Sequence, residues 1–194
     1  MCTPGRRSGS SPDSSPRGRT GSPHGRATPP SRMRRVVPSP RPHSVLEVPV
    51  VRELLAGGTL VICAGGGGVP VVRDHATGRL RGAEAVVDKD LIAALLAEQL
   101  DADALLILTD VTHVFAHYGK RHPRPLLDVG PGELRDLDLP EGSMRPKAEA
   151  AAQFVERTGG LAGIGPLDNA LGILRGTTGT LVRPRPVRSG YPAA

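Results

Sequence analysis

With two cysteines in 194 residues, Cys2 and Cys63, the chain has too few thiols for a disulfide framework or a zinc site. Cys63 stands inside an apolar run and reads as a small core residue. No apolar run approaches the ~18 residues needed to cross a membrane, and the N-terminus lacks the apolar stretch of a secretory signal. A soluble, reducing, cytoplasmic setting without membrane contact is expected. Hydrophobic residues are scarce at 38%, and unevenly so. Residues 1–33 are Ser, Pro, Gly and Arg with almost nothing to bury, and are expected to be a disordered leader. Acid is missing from the same end. Residues 1–35 hold eight arginines against Asp13 alone, a local charge of +7, so the rest of a chain whose net charge is +6 carries about −1. The basic character belongs to the leader, which has no interleaved aromatics, and nucleic acid is not an expected partner.

What is present centres on residues 60–110. Residues 60–64 read as a buried strand ending in four glycines, Gly65, Gly66, Gly67 and Gly68, and residues 69–72 continue beyond them. Residues 73–82 are a polar turn joining hairpin arms or a strand and a helix. A helix opens at Lys89 and Asp90 and runs to Leu100, with Leu91, Ala94, Leu95 and Leu96 on one side. Residues 104–108, apolar throughout, read as a fully buried strand that ends in Thr109 and Asp110. Strand, loop, helix, strand is the order of a parallel α/β sheet, whose strand ends line the ligand crevice.

Around this centre, residues 48–56 are expected to be a helix with Val51, Leu54 and Leu55 on one face and Gly57-Gly58 as its stop. Residues 114–125 read as a loop, residues near Pro131 as a turn or short helix, and residues 143–156 as a helix with Pro146 in its first turn. A strand (161–164), a helix (167–174) and a last edge strand (180–182) follow. One domain is expected over 34–182, with 183–194 a frayed tail.

The chemistry-bearing residues gather at these element ends. Four glycines after a strand let backbone amides approach a small anion, although a tight structural turn explains them as well. Lys89 at a helix start can reach a phosphoryl group, and a neighbouring aspartate can orient it; an N-capping aspartate with a solvated lysine is the plainer alternative. Lys147 lies in the first turn of another helix, whose dipole favours anions. Two lysines, a glycine loop and an aspartate at a strand end suggest phosphoryl transfer, in which a protein mainly positions groups and neutralises charge. His113, His117 and His122 lack a helical spacing or a suitable carboxylate, so no metal site is expected. Ser143 has no nucleophile-elbow context and reads as a helix cap.

The segments Arg34-Arg35-Val36-Val37-Pro38-Ser39-Pro40, GGGGVPV, DKD with LLILTDV, and Ser143-Met144-Arg145-Pro146-Lys147 together resemble the C-terminal half of carbamate kinase, of the amino acid kinase superfamily, continuously from Arg34 to Val182. The resemblance implies a three-layer α/β/α sandwich with a mostly parallel sheet, ATP/ADP and Mg2+ as cofactors, and carbamate or carbamoyl phosphate as the small-molecule partner. The implied reaction is ATP + carbamate = ADP + carbamoyl phosphate, within arginine catabolism. It further implies that Lys89 and Lys147 stabilise the phosphoryl group and that Asp90 organises them. Thr109, Asp110, Phe115 and Met144 would lie along the nucleotide, and Gly65 to Gly68 would wall the carbamate side.

Two departures stand out. The N-terminal half of such kinases, with its Gly-Gly-Asn loop, has no counterpart here, so the chain is expected to be impaired alone. The alternative is a non-catalytic nucleotide-binding or interaction module that pairs with a separate N-terminal half, or a gene remnant. Such kinases are homodimeric, and association through exposed sheet is expected. Arg145 also replaces the usual glycine, where it is expected to obstruct.

Overall fold

The computed structural model describes residues 37–184; the expectations for the leader, for residues 34–36 and for the tail beyond 184 lie outside the described residues. Helix α1 (Val48–Ala56) precedes a hairpin of β1 (Val71–Arg73) and β2 (Leu80–Gly82), then α2 (Lys89–Gln99) and β3 (Ala104–Thr109). A second hairpin pairs β4 (Val114–Ala116) with β5 (Arg124–Leu126), followed by β6 (Asp128–Val129), α3 (Pro131–Asp136) and α4 (Met144–Thr158). The order closes with β7 (Leu161–Pro166), α5 (Ala170–Leu174) and β8 (Thr180–Val182).

The main sheet runs β3-β7-β8-β6, with β3/β7 and β6/β8 parallel and β7/β8 antiparallel. Its register sorts side chains into two faces. Leu105 and Ile107 align with Ala162 and Ile164, all buried in one core with the alanines and Phe154 of α4. Ala148, Ala150, Ala151 and Ala152 are small enough to let α4 lie close to both sheet and α2. On the other face Leu106 aligns with Gly163. A Cβ at Gly163 would stand 2.5 Å from Ile173 Cγ2 of α5, so glycine lets α5 rest directly on the strand. Helices thus cover both faces of a mixed, mostly parallel sheet, which is the three-layer α/β/α arrangement expected.

Thr180 locks the second hairpin to this sheet. Its buried hydroxyl donates to Leu126 O at 2.5 Å and accepts from Val114 N at 2.9 Å, so a polar atom inside the core has both its needs met. The outer face of α4 is held by charge. Arg135 of α3 bonds Glu149 at 2.9 Å and also reaches Glu156, and Arg41 bonds Glu149 at 2.7 Å and Gln153 at 3.1 Å.

Several expectations change. Residues 60–64 form no strand among the described residues: Leu60 and Ile62 are 89% and 95% exposed and Cys63 is exposed too. A strand needs a partner ladder, and none of the described strands offers one. Strand β3 is half-covered instead of fully buried, because it forms one end of the sheet. Thr180–Val182 lies inside the sheet and is fully buried, since β6 adds beyond it. The polar stretch 114–125 contains the β4/β5 hairpin, α5 begins at Ala170, and Leu54 and Leu55 face solvent.

Burial of Glu149 by itself would raise its pKa, but hydrogen bonds and charge from Arg135 and Arg41 outweigh it and hold the carboxyl below its ordinary value. A carboxyl depressed in the folded state adds stability above its unfolded pKa, which is lost as pH falls through the folded value. Thermal melts across that acid range are therefore expected to fall more steeply for the native chain than for Glu149→Gln, the two curves converging at low pH.

Candidate active site

Asp88 starts the site by starting a helix. Its carboxylate accepts from Asp90 N at 2.8 Å and Leu91 N at 3.2 Å, capping α2. The cap fixes Lys89 and Asp90 in the first turn. Lys89 remains mostly exposed, while Asp90 is 7% exposed. Helix α4 packs along α2 and carries Lys147, whose Nζ donates to Asp90 Oδ2 at 3.0 Å; Lys89 Nζ stands 3.5 Å from the same oxygen. Asp88 caps the helix, and Asp90 stands between the two lysines.

The electrostatics are specific. A cation in the first turn of a helix opposes the dipole, which favours anions there. Lys89 and Lys147 both occupy such places, and among the described residues Asp90 is the counter-charge between them. Two ammoniums, two helix starts and a single buried carboxylate leave a net positive centre suited to a multiply charged anion.

The glycine loop abuts the chain leading into this centre. Gly67 is buried, at φ +129°, and a Cβ there would stand 2.2 Å from Val87 O. Only glycine allows the loop to press so closely against the backbone that leads into Lys89.

Next to Lys147 opens a cleft of about 320 Å³, also lined by Thr109, Asp110, His113, Phe115, Tyr118 and Met144, a size typical of small-molecule sites. Thr109 Oγ1 donates to Asp110 Oδ1 at 3.1 Å. The expected nucleotide residues thus share one cleft with Lys147, while Lys89, Asp90 and Gly67 lie next to it through the Asp90–Lys147 bond. Gly65, Gly66 and Gly68 belong to the same loop but do not line the cleft.

Ser143 occupies the N-cap position of α4 but makes no side-chain capping bond. Arg145 turns away from the cleft, its Nε 3.6 Å from Glu141, and it lines a separate depression with Arg135 and Glu149. Its backbone has no positive φ, so the site asks for no glycine conformation there.

His113 and Tyr118 lie outside the expected set. His113 meets Phe115 edge-to-face with ring centroids 6.2 Å apart. The chain has only two Phe and two Tyr, and two of these four line this one cleft. That scarcity was a readable signal, obscured because their hairpin looked like a polar loop. Among the described residues no group of three or more His, Cys, Asp or Glu stands ready to hold a metal ion.

The sequence pattern described as the amino acid kinase family matches residues 17–162. The chain is 45% identical over 151 residues to a carbamate kinase of Haemophilus influenzae, covering 78% of this chain and 48% of that protein. It is 44% identical over 153 residues to a carbamate kinase of Thermoplasma acidophilum, covering 77% and 50%. Among solved structures, a carbamate kinase from Giardia lamblia bound to AMP-PNP superimposes with a TM-score of 0.72 at 39% identity, over 76% of this chain and 48% of that one. The chain spans about half the length of the curated relatives it matches.

Removing Asp90 leaves Lys147, only 13% exposed, without its counter-charge. In a denaturant double-mutant cycle, Asp90→Asn and Lys147→Met are expected to destabilise singly and to show a coupling of about 1–3 kcal/mol. Additive single effects would contradict the pairing.

Proposed function

The chain belongs to the amino acid kinase family, and from that premise we propose that it carries the nucleotide and phosphoryl part of a carbamate kinase, for the reaction ATP + carbamate = ADP + carbamoyl phosphate. The observation that supports this reading best is the Lys147–Asp90–Lys89 cluster, whose Lys147 lines a cleft shared with Phe115 and Tyr118. In the reverse direction the same site would make ATP from the carbamoyl phosphate of arginine breakdown.

The nucleotide base lies against Phe115 and Met144, and Thr109 and Asp110 meet its polar groups. Lys147 and Lys89 reach the phosphoryl group from two helix starts, and the charge they neutralise is largest as the group transfers. Asp90 is a positioning residue that holds both ammoniums and keeps them from repelling each other. Gly65 to Gly68 give the carbamate side a wall of backbone.

Magnesium commonly enters such sites on substrate phosphates with one or two carboxylates. Among the described residues Asp110 is the only carboxylate lining the cleft, and it fits that limited part. Asp110 would hold magnesium together with the nucleotide phosphates, and the ion would supply neutralisation of phosphate charge there.

Transfer between two substrates depends on holding both in line. The chain spans about half of its relatives, so alone it is expected to bind nucleotide and not to turn over. Calorimetric titration with Mg-ATP is expected to show weak, saturable binding. Lys89→Met, a replacement on an exposed side chain, should weaken it by about tenfold, the loss of one charge-assisted bond. Steady carbamoyl phosphate formation by the purified chain, or binding indifferent to Lys89, would contradict this reading.

A further inference from the structure

Charge is distributed unevenly around the cleft. Residues 111–127 hold three cations, Lys120, Arg121 and Arg124, and no acid. Just before them, residues 101–110 carry Asp101, Asp103 and Asp110 without a cation, and just after, residues 128–141 carry five acids against Arg135 alone. Residues 36–194 sum to about −1, so a positive stretch here is a local property and not a consequence of net charge.

The second hairpin brings this charge to the cleft. Ala116 of β4 pairs with Arg124 of β5, and Thr180 holds the base of the hairpin through Val114 N and Leu126 O. His117, at φ +59°, and Gly119, at φ +77°, turn the chain back, and Lys120 N donates to His117 O at 3.0 Å to close the turn. Tyr118 lies inside that turn and lines the cleft. Lys120 and Arg121 therefore follow directly on a residue of the cleft wall.

These cations are neither used by the fold nor placed to touch a seated ligand. All three are exposed, and among the described residues none has a hydrogen-bond or ion-pair partner. Arg41, Arg52, Arg135 and Arg157, by contrast, each bond a carboxylate. None of the three lines the cleft. What they contribute there is a field. Inside the site, Asp90 takes one of the two lysine charges and Asp110 offsets the other, so the site itself exerts little attraction at long range. Unpaired like charges at the rim supply it. Such fields raise on-rates by about 10–10³-fold, while rim charges act on kon and its salt dependence more than on koff.

We propose that the turn of residues 117–124 is a capture surface. It draws a polyanionic small molecule, of the nucleoside polyphosphate or free polyphosphate class, to the cleft and does not hold it once seated. The nucleoside part of that ligand rests on the reading given under Proposed function; the capture surface rests on charge and placement.

The test measures how the full chain acquires Mg-ATP. Phosphorus NMR line shapes give koff and calorimetric titration gives Kd, so kon follows as their quotient. In the triple variant Lys120→Gln, Arg121→Gln, Arg124→Gln, kon is expected to fall at least about tenfold at about 0.01 M salt. The gap is expected to narrow steadily as salt rises and the Debye length shrinks from about 30 Å to about 10 Å at 0.1 M, with koff unchanged. Arg79→Gln, Arg81→Gln, Arg175→Gln removes the same charge from exposed positions outside this turn and is expected to have a much smaller effect. Equal kon at low salt overturns the proposal, as does a gap that salt does not narrow, an equal loss in the second triple variant, or an effect carried by koff, which would make the three side chains direct ligands. If Mg-ATP does not bind, tripolyphosphate is titrated in its place. Salt-dependent capture of tripolyphosphate alone upholds the capture surface and counts against the proposed function, and failure of both to bind overturns both.

Discussion

A buried carboxylate between two lysines decides how this molecule is arranged. Asp90 is nearly enclosed, and it is tolerated there because Lys147 bonds it at 3.0 Å and Lys89 approaches at 3.5 Å. Each lysine sits where its helix dipole opposes it, so neither ammonium would be at ease without Asp90. The pairing ties the start of α2 to the first turn of α4. It also leaves a surplus of positive charge facing outward, and that surplus is what an anion would meet.

The rest of the scaffold serves to hold those two helix starts together. The alanine face of α4 lets it pack tightly on α2 and on the sheet, and Arg157 pairs with both oxygens of Glu98 at 3.1 Å along the same seam. Arg135 and Arg41 hold the outer face of α4. Thr180 fastens the β4/β5 hairpin, so that Phe115 and Tyr118 wall the cleft into which Thr109 and Lys147 project. The glycine loop presses on Val87, just before the start of α2.

Much of this was legible in the residues. Periodicity located α1, α2 and α4, a continuous apolar run located β3, and the short polar motifs located the lysines and Asp90. What misled was everything that depends on partners. Residues 60–64 have the composition of a strand, yet strandedness comes from a ladder that the described residues do not provide. Cys63 shares that fate and is exposed. The last strand was expected at an edge, but the two residues of β6, too few for any periodicity, put it inside the sheet. The hairpin bearing Phe115 was hidden by its polar composition, since only three residues of each arm pair. Local sequence located helices and charges well, and missed the features set by contacts distant in the chain.

The most direct measurement is a crystal structure of the chain with AMP-PNP and magnesium. The expected result places the terminal phosphate within hydrogen-bond distance of Lys147 and Lys89 Nζ, with Asp90 still bonded to Lys147 and the base against Phe115 and Met144. A nucleotide seated in the depression lined by Arg135 and Arg145, or one whose phosphates avoid both lysines, would contradict the central claim that Asp90 arranges these ammoniums to receive a phosphoryl group.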